Sequence, residues 1–205
     1  MAAGLITRLA EWATAGRALP GEGSSGDIGV TVEHSDGVLL AAIDGLGHGP
    51  AASEAAMAAA EILEESPQEK LDVLMTRAHE RLRHRRDSRG VVMSIISLRP
   101  EKSTWLGVGN VEGKMLRTGA DPAATIYLSP LGGIVGYDLP ALHVSPLEVR
   151  PGDVMVLATD GVREDFGLGW RMARPVQEIA DRLLEGFAKN NDDALVVVAR
   201  YLGGG

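Results

Sequence analysis

Short apolar runs, broken by glycine, aspartate and proline, alternate along the chain with two windows of helical spacing. Val30 to Glu33 and Val38 to Ile43 flank Ser35-Asp36-Gly37, a turn signal that predicts a hairpin. From Pro50 to Glu65, Ala52, Ala55, Ala59, Ile62 and Leu63 recur at helical spacing, with Pro50 suited to a first turn. A second helix is predicted to start at Ser66-Pro67-Gln68-Glu69, where Ser66 can cap and Glu69 can complete a capping box. Its apolar stripe is Leu71, Leu74, Met75, Ala78 and Leu82.

After Gly90 the period returns to that of strands. These are predicted over 91–98, 104–108, 114–118, 126–128, 141–149, 154–159 and 194–201, with a third helix over 175–187. Leu5, Ile6, Leu9 and Trp12 suit a strand or a helical turn that packs on the body. Segregated rather than alternating helices and strands predict an α+β sandwich. No linker or repeat divides the sequence, so residues 1–205 are expected to form a single domain, with 1–25 a segment whose packing the pattern does not define.

Composition narrows the function. The chain has 205 residues, 45% of them apolar, enough for one sizeable core. The longest apolar runs, such as Val154 to Ala158, are strand-length and far short of a membrane span. The first residues lack the layout of an export signal, so a cytoplasmic protein is expected. There is no cysteine, which excludes thiol nucleophiles, thiolate metal sites and disulfides. A net charge of -8 argues against a nucleic-acid surface. The basic run from Arg81 to Arg89 is a local exception, either a solvated helix end or a docking patch for an acidic partner.

The candidate chemistry lies in four acidic sites beside predicted strand ends: Gly26-Asp27, Ile43-Asp44-Gly45, Thr159-Asp160-Gly161 and Asn191-Asp192-Asp193. A single Asp-Gly is most simply a turn, as Asp36-Gly37 is expected to be. Strand ends of a sandwich can converge, and clustered carboxylates repel one another unless a multivalent cation neutralises them. Oxygen-only donors select hard ions such as Mg²⁺ or Mn²⁺. In Ile43-Asp44-Gly45-Leu46-Gly47-His48-Gly49-Pro50 a strand delivers an aspartate into a glycine-rich turn that opens a helix. The glycine spacing is wrong for dinucleotide binding, and no Walker-type motif is present.

The succession Gly26-Asp27, Asp44-Gly45-Leu46-Gly47-His48-Gly49, Gly107-Val108-Gly109-Asn110-Val111, Ala158-Thr159-Asp160-Gly161 and Asp192-Asp193 resembles the metal-dependent PPM phosphatases. It is most similar to their bacterial sporulation and stress-response branch, the SpoIIE and RsbX type, from about Gly26 onward. The resemblance implies a four-layer αββα sandwich of two antiparallel sheets flanked by helices. It implies a protein serine/threonine phosphatase that uses two Mn²⁺ or Mg²⁺ ions and a metal-activated water. Asp44 would bridge the ions with help from the Gly45 carbonyl, Asp27 would sit on the side of the second ion, and Asp160 and Asp192 would hold the first.

The implied substrates are phosphorylated STAS-domain proteins of a stressosome, handled by a monomer. A non-catalytic phosphoprotein-binding module of the same fold is the alternative, and a carboxylate metallohydrolase acting on nucleotides or small phosphate esters is a third reading. The chain departs from larger relatives at Leu46, where they place a histidine; His48 is either a proton donor or a turn residue. It offers no arginine in the Gly21 to Asp27 stretch to hold phosphate, and it has Leu195 where a Thr or Ser is usual. Asn110 either lies near the cleft or merely forms a turn.

Overall fold

The computed structural model describes residues 8–85, 89–117, 125–166 and 173–203. In chain order its elements are β1 (Ala10–Arg17), β2 (Asp27–His34), β3 (Gly37–Gly45), α1 (Pro50–Glu65), α2 (Leu71–Arg83), β4 (Val91–Leu98) and β5 (Ser103–Val108). They continue with β6 (Glu112–Leu116), β7 (Thr125–Leu128), β8 (Ser145–Leu147), β9 (Val154–Ala158), α3 (Val176–Phe187) and β10 (Ala194–Tyr201). Two antiparallel sheets result, ordered β1-β10-β9-β6-β7 and β2-β3-β4-β5-β8.

Central strands are apolar at nearly every position because both of their faces are covered. In β3, Leu39, Ala41 and Ile43 pack with Ala55, Ala59 and Leu63 of α1 and Leu74 of α2. The alternate residues Val38, Leu40 and Ala42 face the second sheet, meeting Met155 and Leu157 of β9 and Leu195 and Val197 of β10. On the outer side of that second sheet, Val154, Val156, Val196 and Val198 pack on Ile179, Ala180 and Leu183 of α3. The layers are therefore α1 and α2, sheet, sheet, α3, the expected αββα sandwich.

The hairpin, α1, β4 and β10 lie where the pattern predicts them, but other boundaries move. The capping box at Ser66 does not form. Ser66 ends α1, and the Glu69 amide donates to the Ser66 carbonyl at 3.0 Å, closing a turn. The Glu69 carboxylate instead accepts from Arg77 at 3.1 Å, and α2 starts only at Leu71. The strand predicted over 141–149 shrinks to Ser145–Leu147. Its partner β5 has room only along Ser103–Trp105, because the Gly107 carbonyl and the Gly109 amide are bonded to Leu131 at 2.9 and 2.8 Å.

The N-terminal segment resolves as a strand: β1 pairs with β10 along its whole length, and Leu9 and Trp12 join the core between the sheets. Leu5, Ile6 and Thr118 lie outside the described residues. Much of the basic run is spent within the molecule: Arg81 pairs with Glu61 at 3.1 Å and Arg85 with Glu54 at 3.7 Å, both across to α1. Arg86 lies outside the described residues.

Candidate metal centre

Strand register brings the acidic sites to one end of the sandwich. Asp27 opens β2 and Asp44 nears the end of β3, and the two are direct cross-strand partners. In the other sheet Asp160 follows β9 and Asp192 precedes β10, beyond the pair Ala158 and Val196. Thr159 is one of the side chains that join the sheets there. Thr159, 1% exposed, donates its hydroxyl proton to Asp27 Oδ2 at 2.7 Å and accepts from the Leu195 amide at 2.9 Å.

The glycines that follow Asp44 and Asp160 are packing requirements. A Cβ on Gly45 would stand 2.1 Å from the Ala52 carbonyl oxygen, because the first turns of α1 press on the end of β3. A Cβ on Gly161 would stand 1.7 Å from the Asp193 carbonyl oxygen, where the two loops of the second sheet meet. Real Cβ atoms do not approach this closely, so the small residues set how near the loops can come.

Crowding of like charges in a half-buried site disfavours ionisation. Burial pushes Asp44 up to about 8, with the charges of Asp27, Asp160, Asp192 and Asp193 adding to it. Burial pushes Asp27 up to about 7; the Thr159 hydrogen bond opposes this, and the Asp193, Asp160 and Asp192 charges reinforce it. Asp192 is raised by burial and then by Asp160. Asp27 and Asp44 in one sheet thus feel the charges of Asp160 and Asp192 at the end of the other.

Residues to which the sequence analysis gave no site role hold this arrangement. Asp193 is 3% exposed and accepts from the Leu19 and Gly26 amides, each at 2.7 Å, anchoring the loop that leads into Asp27. Lys189 straps the Asp160 turn, its amide bonded to the Gly161 carbonyl at 2.7 Å and its Nζ to the Asp160 carbonyl at 2.6 Å. Lys114, 3% exposed, fixes the chain beyond Asp160 through the Glu164 carbonyl at 2.6 Å and lies 3.6 Å from the Phe166 ring centre. A lysine inside the alternating pattern of a strand was the one available signal among these.

Asn110 lies at the cluster, donating its side-chain amide to Asp160 Oδ2 at 2.8 Å. His48 lies in the exposed part of the 44–50 loop, 2.9 Å from Glu22.

Among the described residues, no three His, Asp or Glu side chains converge closely enough to form a ready-made ion cage. The carboxylates stand within electrostatic range, with Asp27 and Asp160 each held by a hydrogen bond from Thr159 or Asn110. The donor set nonetheless fits hard divalent ions. It consists of carboxylate oxygens whose mutual repulsion such a charge would relieve.

The sequence model of the family Stage II sporulation protein E (SpoIIE) matches residues 34–202, which takes in Asp44, Asp160 and Asp192 and begins after Asp27. No curated protein matches the sequence. A structure from work on the bacterial stressosome as a modular system adapted to control secondary messenger signalling is 27% identical with a TM-score of 0.83, covering 93% of this chain and 99% of that one. RsbX in complex with magnesium is 18% identical with a TM-score of 0.77, covering 94% and 95%. The catalytic domain of the serine/threonine protein phosphatase PstP in complex with two manganese ions is 17% identical with a TM-score of 0.75, covering 94% and 98%. The latter two share the fold of two antiparallel sheets and three helices. On the family match over most of its length, the chain belongs to the Stage II sporulation protein E (SpoIIE) family.

Proposed function

We propose that this chain is an RsbX-like, metal-dependent phosphatase that removes phosphate from phosphoserine and phosphothreonine on STAS-domain regulators of a stressosome. The observation that carries the catalytic part is the meeting of Asp27, Asp44, Asp160 and Asp192 at one end of both sheets, with Asp44 and Asp27 pushed up to about 8 and about 7. Carboxylates so crowded suit a site completed by divalent cations. The substrate class rests on the likeness to the stressosome-related structure and to RsbX.

In this reading Asp27, Asp44, Asp160, Asp192 and the Gly45 carbonyl would hold Mn²⁺ or Mg²⁺, two ions being expected. Bound there, the ions would acidify water towards neutral pH and neutralise charge on the phosphoryl oxygens. The chain's own contribution is orientation. Thr159 keeps one oxygen of Asp27 turned towards the second sheet, and Asn110 holds one oxygen of Asp160 towards the β5–β6 connection. Asp193 fixes the approach to Asp27, and Lys189 fixes the turn of Asp160. No protein nucleophile is required, and the sequence has no cysteine to offer one.

Residues 1–205 would act as one domain and as a monomer. A cytoplasmic location follows from the proposed substrates; among the described residues no helix is long and apolar enough to cross a membrane. The test is phosphate release from a phosphorylated STAS-domain protein with Mn²⁺ and with EDTA, beside nucleotides and p-nitrophenyl phosphate. Mn²⁺-dependent release from the phosphoprotein is expected. Tight binding of that protein with no release would favour the non-catalytic module, and preference for nucleotides would remove the protein substrate.

A further inference from the structure

A phosphomonoester dianion approaching this cluster meets Asp27, Asp44, Asp160 and Asp192 on a chain of net charge -8, so a fixed cation at the rim would change binding. Two nearby cations are already engaged. Lys189 Nζ is bonded to the Asp160 carbonyl, and Arg17 donates to the Lys189 carbonyl at 2.7 Å and to the Asn190 side chain at 3.0 Å. His48 is paired with Glu22.

Arg89 is different. Its guanidinium lies directly over Gly47, in the loop that starts from Asp44; a Cβ on Gly47 would stand only 2.5 Å from Nη1. Gly47 has φ +89°, a conformation in which glycine is favoured, so the absent side chain both permits the turn and makes room for the guanidinium. The backbone under Arg89 is fixed on the same loop. The Leu46 amide donates to the Gly90 carbonyl at 3.2 Å, and the next residue, Val91, is the cross-strand partner of Gly45. Val91 is in turn bridged to Val135 by two bonds of 2.9 Å. Gly90 itself, at φ +77°, is packed so closely that a Cβ would lie 2.8 Å from Ile134 and 2.9 Å from the Val135 carbonyl oxygen. Among the described residues no carboxylate pairs with Arg89, and its side chain is exposed.

We propose that Arg89 grips the phosphoryl group of the substrate, supplying from the α2–β4 connection the cation that the Gly21 to Asp27 stretch lacks. The inference rests on the reading of the cluster as a phosphoester site. A planar guanidinium can offer two parallel N–H donors to phosphate oxygens, and its position on the Asp44 loop means little ordering is needed on binding.

The test compares wild type, R89M and R89K in the Mn²⁺- or Mg²⁺-loaded protein. R89M keeps a long aliphatic stem without charge, and R89K restores charge without the planar fork. Loss of a charge-assisted contact to phosphate at an exposed rim predicts an increase of about ten-fold in KM for p-nitrophenyl phosphate and for a phosphoserine protein with R89M. The inhibition constant of inorganic phosphate is expected to rise by the same factor, kcat to change less, and R89K to fall between.

KM and phosphate inhibition within about two-fold of wild type in R89M would overturn the assignment. So would a loss confined to kcat or thermal stability, with R89K no better than R89M, since that pattern marks a purely structural arginine. Should wild type hydrolyse no phosphoester, the reading of the cluster as catalytic fails, and Arg89 is judged by equilibrium dialysis of inorganic phosphate against the Mg²⁺-loaded protein. Weaker phosphate binding by R89M than by wild type then supports the grip; equal binding, or none by either, ends it.

Discussion

Asp193→Ala tests whether the approach to the site is held by a buried carboxylate. Asp193 is 3% exposed, and each of its oxygens accepts one backbone N–H at 2.7 Å, from Leu19 and from Gly26. Its removal leaves both donors without a partner, at about 1–3 kcal/mol each when buried. Two effects offset part of this. Leu19 is near enough to the surface for water to reach it as the loop loosens. One of the negative charges that raise Asp27 and Asp44 also disappears, so both carboxyls shift back towards their ordinary range.

The net expectation is a loss of about 2–4 kcal/mol. At roughly 2–4 °C per kcal/mol for a domain of this size, Tm falls by about 4–16 °C. Asp193→Asn keeps one acceptor and turns an amide donor towards the other N–H, so it is expected to lie between wild type and alanine. Thermal and urea melts in saturating Mn²⁺ read the effect, and kcat/KM is expected to fall with it because Asp27 directly follows Gly26. An alanine variant that melts within about 1 °C of wild type would refute the reasoning, since the buried Gly26 N–H cannot lose its acceptor at no cost.

Three further outcomes follow from the same geometry. Asp44→Asn is expected to abolish Mn²⁺-dependent hydrolysis and, in EDTA at pH 8, to melt no lower than wild type, because it removes a carboxylate whose ionisation the fold disfavours. In EDTA, stability is expected to decline as pH rises from about 4 to 8. The folded chain holds Asp27 and Asp44 protonated up to about 7 and about 8, against 3.8 when unfolded, so it binds more protons than the unfolded chain in this window. Mn²⁺ should flatten the decline, and a Tm that rises through that range in EDTA would contradict the crowding argument. Gly161→Ala would place a Cβ 1.7 Å from the Asp193 carbonyl oxygen. Its expected cost is about 1–3 kcal/mol in a melt, with loss of activity as the Asp160 turn is pushed away from Asp192.

Much of the layout was legible because it is local. Ser35-Asp36-Gly37 names its own hairpin, Pro50 and the alanine spacing mark α1, and Val91 to Leu98 read as a strand. The errors arose where distant chain decides. Ser66 and Glu69 have the residues of a capping box, but Arg77 takes the glutamate and the turn between α1 and α2 takes the backbone. Leu9 and Trp12 left a strand and a helical turn both open for the N-terminal segment, and the edge offered by β10 decides for the strand.

The same division holds at the site. The aspartates stood out because each follows or precedes an apolar run and lies next to glycine or a second aspartate. Thr159, Asp193 and Lys189 did not, because their partners lie far off in sequence: Thr159 meets Asp27 across 132 residues and Asp193 meets Gly26 across 167. Asn110 was recognisable as a residue near the cleft or in a turn, and its bond to Asp160, 50 residues away, required the packed sheets.

The most direct test of the central claim is anomalous diffraction from Mn²⁺-soaked crystals of this protein. Mn²⁺ peaks are expected between the ends of the two sheets, with oxygens of Asp44, Asp27, Asp160 and Asp192 as protein ligands. A saturated crystal with no peak there, or with manganese bound elsewhere while those four side chains stay apart, would contradict it.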